Sequence, residues 1–136
     1  MYRIEQRPWG IWLVFSGRMD DAETRDWMRA SREVLAKITP PFSVLADMRE
    51  ISPLVPEVQF LFVEGQKLYR DHGMARSAVL VAGPIALRQF QRLAAQSGIR
   101  EGERYIDASR DPHAEARAIA WARDGIEPDE FQPPQR

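Results

Sequence analysis

Phe42-Ser43-Val44-Leu45-Ala46-Asp47 is the stretch whose reading decides the fold. Val44, Leu45 and Ala46 run apolar without alternation, the pattern of a central strand covered on both faces. Pro40-Pro41 in front of it stops whatever helix precedes, because proline offers no amide donor and clashes with the preceding turn. Behind it, Met48-Arg49-Glu50-Ile51-Ser52-Pro53-Leu54-Val55 reads as a loop, and Pro56 suits the first position of a new helix. A buried strand between two helices implies crossovers and a parallel sheet.

Working outward, the upstream helix starts at Asp20. Glu23 follows three residues later, a pair able to satisfy free amide donors from both sides. Trp27, Met28, Ser31, Val34, Leu35 and Ile38 then share one face, while Arg25, Arg29, Arg32 and Lys37 lie away from it. Before that helix, residues 2–6 alternate and residues 11–15 are apolar, joined by Arg7-Pro8-Trp9-Gly10, which predicts an antiparallel hairpin.

Downstream, Val58, Leu61, Phe62, Gly65, Leu68 and Tyr69 form an apolar helical stripe that Gly73 closes. Residues 77–82 read as a strand broken by Gly83-Pro84. A helix follows with Leu87, Phe90, Leu93 and Ala94 on one side and Arg88 and Arg92 on another, ending at Gly98. Residues 104–107 make a short fifth strand. Asp111-Pro112 then starts an alanine-rich helix running through Ile119 and Trp121 to about Arg123.

The expected fold is therefore α/β, with a mixed, mostly parallel five-stranded sheet and about four helices in the order β-β-α-β-α-β-α-β-α. Residues 1–123 are expected to form one domain, and residues 124–136, with three prolines after Gly125, a flexible C-terminal tail.

Composition excludes several classes of function. The 136 residues hold 19 basic and 20 acidic side chains, for a net charge of −1 and no global footprint for nucleic acid. Without cysteine there is no disulfide framework, thiolate metal site or cysteine nucleophile. The apolar runs at 11–15 and 78–82 are too short to cross a bilayer, and the charged N-terminus is unlike a signal peptide. A cytoplasmic protein without a transmembrane segment is the expectation.

The element order and several local sequences resemble the SpoIIAA-like branch of the STAS superfamily, whose fold is related to CRAL-TRIO lipid-binding domains. The resemblance spans residues 2 to about 121. It is carried by Phe15-Ser16-Gly17, by Phe42 through Arg49 leading into Pro56-Glu57, by Ser77-Ala78-Val79-Leu80-Val81 and by Leu87-Arg88-Gln89-Phe90-Gln91-Arg92-Leu93-Ala94. It implies a bacterial-type regulatory interaction module. In the anti-sigma-factor antagonists of this kind, a serine at the start of the helix after the central strand is phosphorylated. Here Val55-Pro56 falls at that place and Ser52 lies upstream, so the resemblance implies the module without the phospho-serine switch.

Residue chemistry narrows the candidates further. Asp47, Arg49 and Glu50 end a central parallel strand, beyond which open α/β sheets bind ligands. Asp47 with Arg49 is the first pair to consider for catalysis; the plainer alternative is an aspartate held by loop amides and an arginine held by a carboxylate. The serines include no nucleophile elbow, and the glycines form no phosphate loop. His72 and His113 lack metal-site spacing, so neither a metal nor a cofactor is expected. Arg88, Arg92 and the nearby Arg100 could face a membrane surface, nucleic acid or an acidic partner; the plainer expectation is a solvated face with intrahelical and cross-helix ion pairs.

Phe60 lies off the apolar stripe of its helix and is a candidate for a partner contact or for lining an apolar pocket. Asp47, Arg49, Ser52, Val55 and Phe60 make up the expected interaction surface. The expected function is a non-enzymatic protein-binding module, regulatory or scaffold, whose partner could be a second copy of the chain. The alternatives are a binder of a lipid or other small apolar ligand and, last, an enzyme.

Overall fold

The computed structural model describes residues 1–134 and contains the expected elements in the expected order. They are β1 (Tyr2–Arg7), β2 (Gly10–Gly17), α1 (Asp21–Leu35), β3 (Phe42–Ile51), α2 (Pro56–Asp71), β4 (Met74–Val81), α3 (Pro84–Ser97), β5 (Glu103–Asp107) and α4 (Ala114–Asp124). The strands lie in the order β1-β2-β3-β4-β5. β1 is antiparallel to β2, and every other pair is parallel. No helix among the described residues is long and apolar enough to cross a membrane.

Alternation along the strands sorts side chains to two faces. Leu13, Phe15, Val44, Ala46, Val79 and Val81 point to the larger core, which α1, α2 and α3 cover. Leu45, Ala78, Leu80 and Ile106 point the other way, against Ala118 and Trp121 of α4. β3 and β4 are thus covered on both sides, which is why their sequences lack alternation.

The larger core is built around aromatic rings. Trp27 stacks on Phe62 at 5.3 Å and on Tyr69 at 5.9 Å, and Phe15 meets it edge-on at 5.2 Å. α1 approaches α2 closely because Gly65 has no side chain: a Cβ there would stand 2.4 Å from the Trp27 ring.

Several boundaries differ from the sequence reading; β4, for one, begins at Met74, three residues before the expected start at residue 77. β3 continues four residues past Asp47, through a bulge: Val14 pairs with Asp47 but Ser16 with Glu50, so Met48 and Arg49 both oppose Phe15. α1 ends at Leu35 rather than Ile38, and Ile38 packs on the core from the turn beyond. At α4 the cap is His113, not Asp111. Asp111 instead closes the preceding turn, accepting the His113 amide at 2.9 Å and the Arg117 guanidinium at 2.8 Å.

Beyond Gly125 the chain lies back on the domain. Glu127 forms a two-pronged ion pair with Arg104, both contacts 2.9 Å, and Arg117 sits over the Phe131 ring at 5.2 Å. Gln135 and Arg136, part of the expected tail, lie outside the described residues.

Candidate functional site

The bulge in β3 aims Arg49 back at Asp47. Its Nε and one terminal nitrogen reach the two carboxylate oxygens at 2.9 and 2.7 Å, and its backbone amide donates to the same carboxylate at 3.1 Å. Arg49 also reaches Glu115 of α4 at 3.2 Å. The Asp47 carboxylate holds Arg49 firmly charged, its pKa raised above the already high guanidinium value. An aspartate that accepts three bonds from one residue has little left for a substrate. The pair fastens the end of β3 to α4, the plainer of the two expectations for these residues.

Ser52 follows β3 and donates its backbone amide to Gly17 at 2.9 Å, which ties the strand end to β2. Leu54 is buried and joins the loop to α3: its carbonyl accepts from the Gln59 and Gln89 side chains at 2.8 and 3.4 Å. Val55 is the N-cap of α2 and remains 43% exposed; Phe60, early in the second turn, is 64% exposed.

The five expected residues therefore do not form one surface. Asp47 and Arg49 belong to the α4 side of the sheet, whereas Phe60 rides on α2 across it. A different residue joins Val55 and Phe60: Ile85, in the first turn of the neighbouring α3, is 76% exposed. α2 and α3 start from the carboxyl ends of adjacent strands and pack side by side, so all three apolar side chains lie on that end of the molecule. The signal for Ile85 was its place just after Gly83-Pro84, off the Leu87-Phe90-Leu93 stripe.

The buried carboxyl of Glu103, at the head of β5, is a second feature that sequence reasoning missed. Ser77 across the β4–β5 ladder and Tyr105 two residues on each place a hydroxyl 2.5 Å from one of its oxygens. No cation pairs with it among the described residues, and burial pushes its pKa up to about 7. It adjoins an apolar cavity of about 50 Å³ under Trp27, Phe62 and Phe90. That volume suits about one or two water molecules, far below the several hundred Å³ of a typical ligand site. Buried Tyr69, paired with Ser31 at 2.7 Å, is likewise pushed up to about 12 by burial.

The histidines stay apart. His72 places Nδ1 2.9 Å from the Leu68 carbonyl at the end of α2, and His113 caps α4. Among the described residues no three histidines or carboxylates gather as a metal site would require.

No family model matches the sequence, and no curated protein matches it. A solved structure does: an uncharacterised DUF3478-family protein with a SpoIIAA-like fold from Shewanella loihica PV-4. It superposes with a TM-score of 0.62 over 90% of this chain and 92% of that one. The fold is SpoIIAA-like. Sequence identity is 18%, so the likeness concerns architecture and leaves the roles of individual residues to be argued from this chain.

Proposed function

We propose that this chain is a non-enzymatic protein-interaction module, regulatory or scaffold in role, that docks a protein partner on the apolar end formed by Val55, Phe60 and Ile85. The exposure of those three side chains carries the reading. Single exposed apolar residues are ordinary, but three large ones on the adjoining starts of two packed helices mark a contact surface. Each would bury enough area in a complex to contribute about 1–2 kcal/mol. α2 and α3 pack against each other and each begins with a proline, so the patch stands on ordered helix starts.

The phospho-serine switch has no place in this reading, since Val55 and Pro56 stand where the acceptor would be. Catalysis has weak support in the geometry, because Asp47 is committed to Arg49. A lipid or comparable apolar ligand would require the core beneath Trp27 to repack around a cavity of about 50 Å³.

Photo-crosslinking in the source cells tests the proposal. A photoreactive phenylalanine analogue replacing Phe60 should capture one discrete protein, and Ile85→Asp should abolish the capture. Equal crosslinking from Phe60 and from a control position at Lys37, unaffected by Ile85→Asp, would dismiss this surface.

A further inference from the structure

The exposed side of α3 carries arginines that no neighbouring carboxylate among the described residues pairs with. Pro84–Ser97 contains no aspartate or glutamate, and Ile85, Arg88 and Arg92 recur at i, i+3 and i+7 along its solvent side. Arg100 follows in the short 3-10 turn after the helix. Among the described residues, no carboxylate lies within ion-pair distance of Arg88, Arg92 or Arg100.

α1 handles its charge differently. There Arg25 pairs with Asp21 at 2.7 Å, and Arg29 pairs with Asp26 at 2.5 Å and Glu33 at 3.5 Å. Carboxylates one turn from an arginine stabilise a helix, and α3 offers none.

The two distal arginines also share a concavity. A groove of about 410 Å³ runs between α3 and β5, lined by Gln91, Arg92, Ala95, Arg100 and Tyr105, with Glu103 behind them. Glu103 forms no ion pair with either arginine; its two oxygens accept from the Ser77 and Tyr105 hydroxyls. Two guanidinium groups in one groove present the planar donors that carboxylates bind in pairs.

We infer that the face of α3 from Ile85 to Arg100 binds an acidic segment of a protein partner, its carboxylates held by Arg92 and Arg100 and an apolar side chain set against Ile85. This rests on the interaction reading above and adds the chemistry of the partner. Charge complementarity selects the occupant. A nucleic-acid site draws on a broad basic field, whereas this chain has a net charge of −1. An anionic bilayer surface calls for four or more clustered basic residues beside a continuous apolar face. Three arginines beside a small apolar patch match an acidic peptide better than either.

The experiment is a titration of isotope-labelled protein, followed by amide chemical shifts. The probes are a synthetic 15-residue peptide with leucine anchors flanked by aspartates and glutamates, its lysine counterpart, phosphatidylserine vesicles and a single-stranded oligonucleotide. The acidic peptide should shift the amides of Ile85, Arg88, Arg92 and Arg100. Its affinity should fall with salt and weaken about tenfold in Arg92→Ala/Arg100→Ala, with the folded spectrum of that variant otherwise unchanged.

Equal binding of acidic and lysine peptides at Phe60 and Ile85 would overturn the acidic specificity and leave the docking surface standing. Binding of vesicles or oligonucleotide alone at α3 would replace the protein partner with that ligand. No shift at α2 or α3 with either peptide would overturn both the specificity and the surface.

Discussion

The hydroxyl of Ser77 stands 2.5 Å from the carboxyl of Glu103, and the two residues face each other across the β4–β5 ladder in the interior of the protein. A carboxyl so placed resists ionisation because the core solvates its charge far less well than water does; the two hydroxyl donors only partly offset that cost. Its pKa rises to about 7 from an ordinary 4.5, so the folded state holds the proton more tightly than the unfolded chain.

The pH dependence of folding follows from that difference. The stability linked to this proton is fully present below about pH 4.5 and is lost as pH rises through 7, a total of about 3 kcal/mol. Urea denaturation at pH 5 and pH 8 measures it. Glu103→Gln, which carries no titrating proton, should flatten the slope between those two conditions; an unchanged slope would remove Glu103 as its source.

Gly65 permits the approach of α1 to α2, since a Cβ there would collide with the Trp27 ring at 2.4 Å. Gly65→Ala should destabilise the protein by about 1–3 kcal/mol despite the better helix propensity of alanine, which favours it by about 1 kcal/mol. A thermal melt that rises instead would show that the ring shifts freely.

Arg49 holds the half-buried Asp47 on one side and the more exposed Glu115 on the other, with carboxylate side chains 13% and 49% accessible. Arg49→Met should cost about 1–3 kcal/mol, because Asp47 loses both guanidinium donors and keeps only the backbone amide of residue 49. Glu115→Ala should change stability by less than about 0.5 kcal/mol, as solvent already screens that pair. Chemical denaturation of the two variants side by side separates the roles.

Phe60 and Phe62 are two positions apart on α2 and face opposite environments, 64% and 2% exposed. Phe62→Ala should cost about 3–5 kcal/mol through the cavity it opens between Trp27, Phe15 and Phe90. Phe60→Ser and Ile85→Ser should each stay within about 1 kcal/mol of the parent. Urea midpoints decide whether the exposed residues serve contact or folding; a large loss at Phe60 would assign it to the fold.

The sequence alone determined the order of elements, because each relied on a local cue: proline and glycine at the boundaries, helical stripes such as Val58-Leu61-Phe62, and the unalternating Val44-Leu45-Ala46. It also separated Phe60 from the buried side of its helix, since periodicity is a property of a single segment.

The partners of side chains came only from tertiary structure. Glu103 looked like an ordinary residue before a short strand, and its burial arose when β5 took the edge beside β4 and set it against Ser77. For Asp47 and Arg49 the sequence leaves both a ligand site and a structural pairing open, and the bulge in β3 turns Arg49 onto Asp47 and toward Glu115. Ile85 met Phe60 on a shared end only because α2 and α3 rise from adjacent parallel strands. Periodicity acts along the chain, but burial, pairing and the composition of a surface depend on contacts between residues distant in sequence.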